Sequence, residues 1–164
     1  MYKIKLSILL LISILIFSCT THQTNNFNQK YSVAYIGGEF DGLLLRNYLV
    51  NNLKNLNIYD QKSKYEIKAS IEHVTNLFIT NIDNTSDREK ITTNLYVKIT
   101  NILSDCEIYT DELDISQFYI YTSSDKFLSN QKALKKIKKD NTEATVKEFI
   151  NNLKNVDDKC DEWQ

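Results

Sequence analysis

From Lys64 to Glu72 the chain alternates, with Tyr65, Ile67, Ala69 and Ile71 falling between Lys64, Glu66, Lys68, Ser70 and Glu72. Successive side chains of a strand point to opposite faces, so this segment has one face to bury and one to leave in water. A sheet covered on both sides would need a near-continuous apolar run, so the pattern favours antiparallel pairing or one side of a layered sheet. The same rule puts Ile91, Thr93, Leu95, Val97 and Ile99 on one face of another strand, opposite Thr92, Asn94, Tyr96, Lys98 and Thr100. Tyr31, Val33 and Tyr35 alternate with Ser32 and Ala34 ahead of Gly37-Gly38, which reads as a first strand and its turn. The strand from Lys64 is expected to run on through Leu77, Phe78 and Ile79, and the polar stretch Asn81 to Glu89 to be a loop. Ser104-Asp105 turns the chain into a fourth strand, Glu107 to Tyr121, whose alternation shifts around Asp111 to Leu113 as a bulge or bend would require.

Two segments change to a helical period. Asp41 can cap a helix through Asn55, in which Leu45, Leu49, Leu53 and Leu56 recur on one face beside Tyr48. Ser123, Ser124 and Asp125 are helix-start residues for a closing helix to Lys154, with Val146, Phe149, Ile150 and Leu153 as its apolar face. The only expected interruption is Asp140-Asn141-Thr142. Lys135, Lys136, Lys138 and Lys139 surround Ile137 and read as the solvated side of that helix rather than as a binding patch. Two helices packed on one face of a roughly four-stranded sheet make an α+β domain, a two-layer sandwich.

The first eighteen residues stand apart from this domain. Lys3 and Lys5 precede an almost unbroken apolar run from Leu6 to Phe17, the layout of an export signal. As a helix that run would reach about 18 Å, short of the roughly 30 Å of bilayer hydrocarbon. The signal ends Ile16-Phe17-Ser18-Cys19, which resembles a bacterial lipobox; Phe17 is bulkier than the usual residue, and the plainer alternative is an ordinary cleaved signal beside an incidental cysteine. Lipidation at Cys19 would supply two or three acyl chains, enough for stable anchoring where one chain holds only marginally. Threonine at position 20 resembles the outer-membrane sorting class. The expected organisation is a signal over 1–18, a lipidated polar tether over 19–30, the α+β domain over 31–156 and an acidic tail over 157–164. Cleavage would leave 146 residues, a single-domain length, with 18 basic against 21 acidic side chains.

That balance and the lack of a basic, aromatic-interleaved stripe argue against a nucleic-acid partner. Enzymatic chemistry finds no foothold either, because no Ser/His/Asp set, phosphate loop or zinc spacing is present. His22 belongs to the tether, and His73 and Glu72, as strand neighbours, point to opposite faces. No catalytic residue, metal or other cofactor is expected, and the acidic tail, with Asp157, Asp158, Asp161 and Glu162, reads as a solvated terminus. Cys106 and Cys160 could pair in an oxidising periplasm, but with their separation unread from sequence two unpaired thiols are the favoured expectation.

The order of elements, together with Leu44-Leu45-Arg46-Asn47-Tyr48-Leu49, Tyr65-Glu66-Ile67, Arg88 ahead of the third strand, the hairpin Ile99 to Tyr109, Phe118-Tyr119-Ile120, Ser123-Ser124 and the long closing helix, resembles LptE, the LPS-assembly lipoprotein family. The resemblance spans nearly the whole mature chain and rests on order and spacing. It implies a non-enzymatic, lipid-anchored protein on the periplasmic side of the outer membrane, partnered with the LptD β-barrel and contacting lipopolysaccharide on its way to the outer leaflet. Phosphates would then favour arginine or lysine, and Arg88 and Lys90 are the candidate lipopolysaccharide-binding residues. The residues alone favour the plainer role of keeping a loop soluble. Two other readings stay open: a lipoprotein activator of a peptidoglycan synthase, against which a proline-free tether of about a dozen residues at roughly 3.3 Å each argues, and an outer-membrane lipoprotein with another binding role.

Overall fold

The computed structural model describes residues 27, 29–79, 86–120, 127–157 and 160. The signal segment, Cys19, the tether as far as residue 26, the Ser123 to Asp125 helix start and the tail residues Asp158, Asp161 and Glu162 lie outside them. In chain order the elements are β1 (Tyr31–Val33), α1 (Glu39–Asn55), β2 (Tyr65–Ile79), β3 (Ser86–Asn101), β4 (Cys106–Ile120), α2 (Phe127–Asn152) and a closing 3-10 turn (Leu153–Asn155). The sheet order is β1-β2-β3-β4. β1 runs parallel to β2, and the other two pairings are antiparallel. Both helices lie on one face, α1 over β1 and β2, α2 over β3 and β4. The two-layer α+β sandwich expected from the alternation is the observed architecture.

Between the layers, Leu45, Leu49 and Leu53 of α1 meet Ile67, Leu95, Val97 and Ile99 of the sheet and Val146, Phe149 and Ile150 of α2. These residues are buried almost completely. Each such side chain removed from water contributes roughly 1.5–3 kcal/mol. The interior also holds a polar cluster. His73 Nδ1 lies 2.8 Å from Thr93 Oγ1, to which the buried Asn141 Nδ2 also donates at 3.1 Å. Thr142 and Thr145 turn their hydroxyls onto carbonyls of their own helix. These bonds let α2 run unbroken through Asp140-Asn141-Thr142, where an interruption was expected.

Five further expectations are corrected. β3 begins at Ser86 rather than beyond Glu89, because Ser86 to Glu89 find backbone partners in Leu77 to Ile79 and in Tyr119 and Ile120. Pairing satisfies the main chain even where side chains are polar. The register irregularities fall at Phe78/Ile79 and Ile99/Thr100, while Asp111 to Leu113 pair regularly with Leu95 to Val97. Helix α1 starts two residues ahead of Asp41, from a Gly38 N-cap at φ 100 and ψ 34, a left-handed conformation that glycine adopts at little cost. β1 stops at Val33, so Tyr35, expected in the first strand, lies beyond it and is 91% exposed. Finally, Cys106 and Cys160 are not unpaired. Their Cα atoms lie 6.1 Å apart and the sulfurs are bonded, which fastens the acidic tail to the start of β4.

Candidate functional site

The sheet has a second face that the helices do not cover. Along it, reading across β2, β3 and β4, lie the rows Lys68-Lys98-Thr110, Ser70-Tyr96-Glu112, Glu72-Asn94-Asp114, Val74-Thr92-Ser116 and Asn76-Lys90-Phe118, with Arg88 opposite Ile120 at the end. Opposed side chains in such rows stand about 4.5–5.5 Å apart at Cβ, close enough to interact. Near the hairpin base Lys98 pairs with Glu107, whose carboxyl is held below the usual range first by that lysine and then by Thr110. Across the middle Tyr96 donates to Glu112, which pushes the phenol's pKa up. Thr92 and Ser116 share a hydrogen bond of 2.9 Å. The middle of this face is therefore acidic or neutral, with Glu72, Glu112 and Asp114 as its charges.

Polarity reverses at the far end. Arg88 and Lys90 stand two residues apart on β3, so they project from the same face at about 6.8 Å spacing. The structure places both within β3, whereas the sequence puts Arg88 in the loop ending at Glu89 and Lys90 at its edge with the strand; Arg88 is exposed and Lys90 half-buried. Phe118, 55% exposed, lies across from Lys90, and Ile120, 69% exposed, lies across from Arg88. Leu77 on β2 is 68% exposed at the same end. Helix α2 begins seven residues after β4 ends and opens with exposed Phe127 and Leu128. From there it runs back along the sheet, placing Asn141 beside Thr93 and Phe149 beside Tyr109. Two cations and a group of exposed apolar side chains thus share one end of the molecule. Arginine and lysine supply charge-assisted hydrogen bonds to phosphate or carboxylate, and the neighbouring apolar surface is what an alkyl chain would cover. The sequence reading found the two cations but missed Phe118 and Ile120 as their companions. The signal was their i, i+2 spacing on the same face, readable only with the register in hand.

His73 and Glu72 do point to opposite faces. Glu72 is exposed, whereas the His73 side chain is 3% exposed, with Asp41 Oδ2 at 3.9 Å from Nε2. Burial lowers the His73 pKa, partly opposed by Asp41 and reinforced by Lys138. Lys135 and Lys138 line a cleft of about 210 Å³ with Phe40, Asp41, Leu44 and Leu134, and Lys135 Nζ sits 4.7 Å from the Phe40 ring centre. Part of that lysine run therefore packs on α1. Cys19 lies outside the described residues, and no helix among them is long and apolar enough to cross a membrane.

No protein-family model matches the sequence, and no curated protein matches it. Solved structures do. The chain is similar to uncharacterized lipoprotein B from Nitrosomonas europaea at 9% identity and a TM-score of 0.61, covering 77% of this chain and 82% of that one. It is similar to a minor lipoprotein from Acinetobacter baumannii at 13% identity and a TM-score of 0.58, covering 79% and 92%. Rare lipoprotein B from Shewanella oneidensis matches at 9% identity and a TM-score of 0.51, covering 77% and 96%. At these identities the likeness establishes a shared fold, one built in full by proteins described as bacterial lipoproteins.

Proposed function

We propose that this chain is a lipoprotein of the outer membrane, anchored through acylated Cys19 and facing the periplasm, that partners the LptD barrel and contacts lipopolysaccharide with the far end of its sheet. The observation that carries the reading is the pairing of Arg88 and Lys90 with exposed Phe118 and Ile120 on one face. Lipopolysaccharide combines phosphates with acyl chains, and this end offers a counterpart to each. Support comes also from the lipobox-like Ile16-Phe17-Ser18-Cys19, the resemblance to LptE over the mature chain, and a fold shared with lipoproteins. The polar face behind the tip suits the wet interior of a barrel, where side chains can exchange hydrogen bonds with a lumen.

The test is purification of the full lipidated chain from intact outer membranes in mild detergent. LptD and lipopolysaccharide should both co-purify. Arg88→Glu combined with Lys90→Glu should reduce lipopolysaccharide recovery about tenfold or more, since a hydrogen bond to a charged group contributes roughly 1.5–3 kcal/mol and about 1.4 kcal/mol is a factor of ten. Barrel recovery should be unchanged. Recovery of a murein synthase in place of the barrel, or undiminished lipopolysaccharide, would overturn the assignment.

A further inference from the structure

The two edges of the sheet are not equivalent. β4 forms one edge for fifteen residues, a length of open backbone that soluble proteins defend. Here the defence is visible: Asp111 points toward the helices, accepts from Tyr109 and Asn152, and uses its other oxygen to take the Glu112 amide at 3.0 Å. An edge donor at the middle of β4 is thereby occupied by the strand's own side chain. The other edge is β1, which covers β2 only from Tyr65 to Ile67. Ala34 gives the last bond, to the Ile67 carbonyl at 2.9 Å, and the chain then leaves. Twelve residues of β2 extend past that point.

Because the amide and carbonyl of one strand residue point to the same side, Ile67 sets the phase. Ala69, Ile71, His73, Thr75 and Leu77 turn their main-chain groups to the uncovered side, while β2 stays in regular register with β3 as far as Phe78. Among the described residues none of these five amides and five carbonyls has a partner on that side, and no carboxylate fills an amide as Asp111 does on β4. Where β1's line breaks off, Tyr35 and Ile36 join Glu39, Leu43 and Arg46 of α1 around an open cavity of about 390 Å³. Tyr35 and Leu43 are both exposed there. On the opposite face of the overhang the exposed carboxylate is Glu72.

We infer that the β2 overhang, Ala69 to Leu77, is a strand-addition site for an extended segment of a partner protein. The segment carries apolar side chains at alternate positions toward Tyr35 and Leu43 and a lysine or arginine opposite Glu72. Five donors and five acceptors without a partner among the described residues specify a strand as the occupant, the mode in which main-chain bonds give affinity and pockets for alternate side chains give specificity. The charge at Glu72 selects the basic residue, since opposite charges in facing positions attract. The inference is independent of the barrel reading, because it uses the edge and not the Arg88 tip.

The probe is an acetylated nine-residue peptide alternating valine and threonine with a central lysine, added to the full chain labelled with 15N. The amides of Ala69, Ile71, His73, Thr75 and Leu77 should shift and exchange with solvent about tenfold or more slowly. N-methylating the peptide at the alternate positions that face β2 should weaken binding about tenfold or more, as each lost main-chain bond is worth roughly 0.5–1.5 kcal/mol. Methylating the other set should leave binding within about twofold on the same grounds. Replacing the peptide lysine by glutamate should weaken binding, and Glu72→Lys should restore it. No shift at these amides up to millimolar peptide, or shifts confined to β4, would overturn the inference. So would protection of the same amides that rises with protein concentration without peptide, which would make a second copy the occupant.

Discussion

Replacing Gly42 by alanine should destabilise this protein, although the same change in an ordinary helix stabilises. Helix propensity alone favours alanine by about 1 kcal/mol. Gly42 lies in the first turns of α1, and its amide donates to the Gly38 carbonyl at 3.1 Å. A Cβ there would meet the Gly37 carbonyl oxygen at 1.9 Å, its carbon at 2.7 Å and the Ile36 oxygen at 3.3 Å. All three are backbone atoms, so no side chain can swing aside. Ordinary contact begins at 3.4 Å, and the Gly37 carbonyl would have to retreat by about 1.5 Å beside a Gly38 already held at φ 100. Overpacking that moves the backbone costs roughly 1–3 kcal/mol, and a clash this rigid belongs at or above the top of that range. Net of propensity, Gly42→Ala should lose about 2 kcal/mol. With an m-value of about 2 kcal/mol/M in urea, the unfolding midpoint should drop by about 1 M. Gly37→Ala is the control: its Cβ would meet only the Tyr35 ring edge at 4.0 Å, so the midpoint should barely move. A Gly42→Ala midpoint equal to or above that of the native chain would refute the reasoning.

Other perturbations test other parts. Cys160→Ser opens the bridge to Cys106, 54 residues away, and the chain-entropy relation puts the loss at about 4 kcal/mol; a urea midpoint insensitive to reductant would contradict it. Thr93→Val removes the hydroxyl shared by His73 and Asn141 inside the core, and should cost about 1–3 kcal/mol for each group left without its bond, read from thermal melts against Thr92→Val on the open face. Burial depresses the His73 pKa in the folded state below its ordinary 6.5, so the unfolded chain binds the proton more readily. Stability from this group is complete above about pH 6.5 and falls as pH drops toward the folded value. His73→Gln should flatten the urea midpoint between pH 7 and 5, and an unchanged slope would show that the titration lies elsewhere.

What the sequence disclosed follows from how local each signal is. The alternation of Tyr65 to Ile71 and of Ile91 to Ile99 placed the correct faces inward, and the leucine stripe of α1 named its buried side, because period and burial are linked within one element. Misses came where a partner element decides. Ser86 to Glu89 looked like loop because their side chains are polar, yet backbone pairing with β2 and β4 makes them strand. Asn141 looked like a breaker until Thr93 supplied its partner from 48 residues away. The bond between Cys106 and Cys160 depends on where the end of α2 delivers the tail, which no spacing reveals. Of the candidate site, Arg88 and Lys90 were legible as cations ahead of an apolar run. Their apolar companions on β4 were not, since only the β3–β4 register brings Phe118 and Ile120 across from them.

The central claim is that the end of the sheet touches lipopolysaccharide, and photocrosslinking in living cells tests it most directly. A crosslinking residue at Ile120 should form a lipopolysaccharide adduct that one at Asp114, on the same strand and face but in the acidic middle, does not. The adduct should vanish when Arg88 and Lys90 are both changed to glutamate. Equal labelling from Asp114, or no adduct from Ile120 in cells where the native protein is functional, would contradict the account.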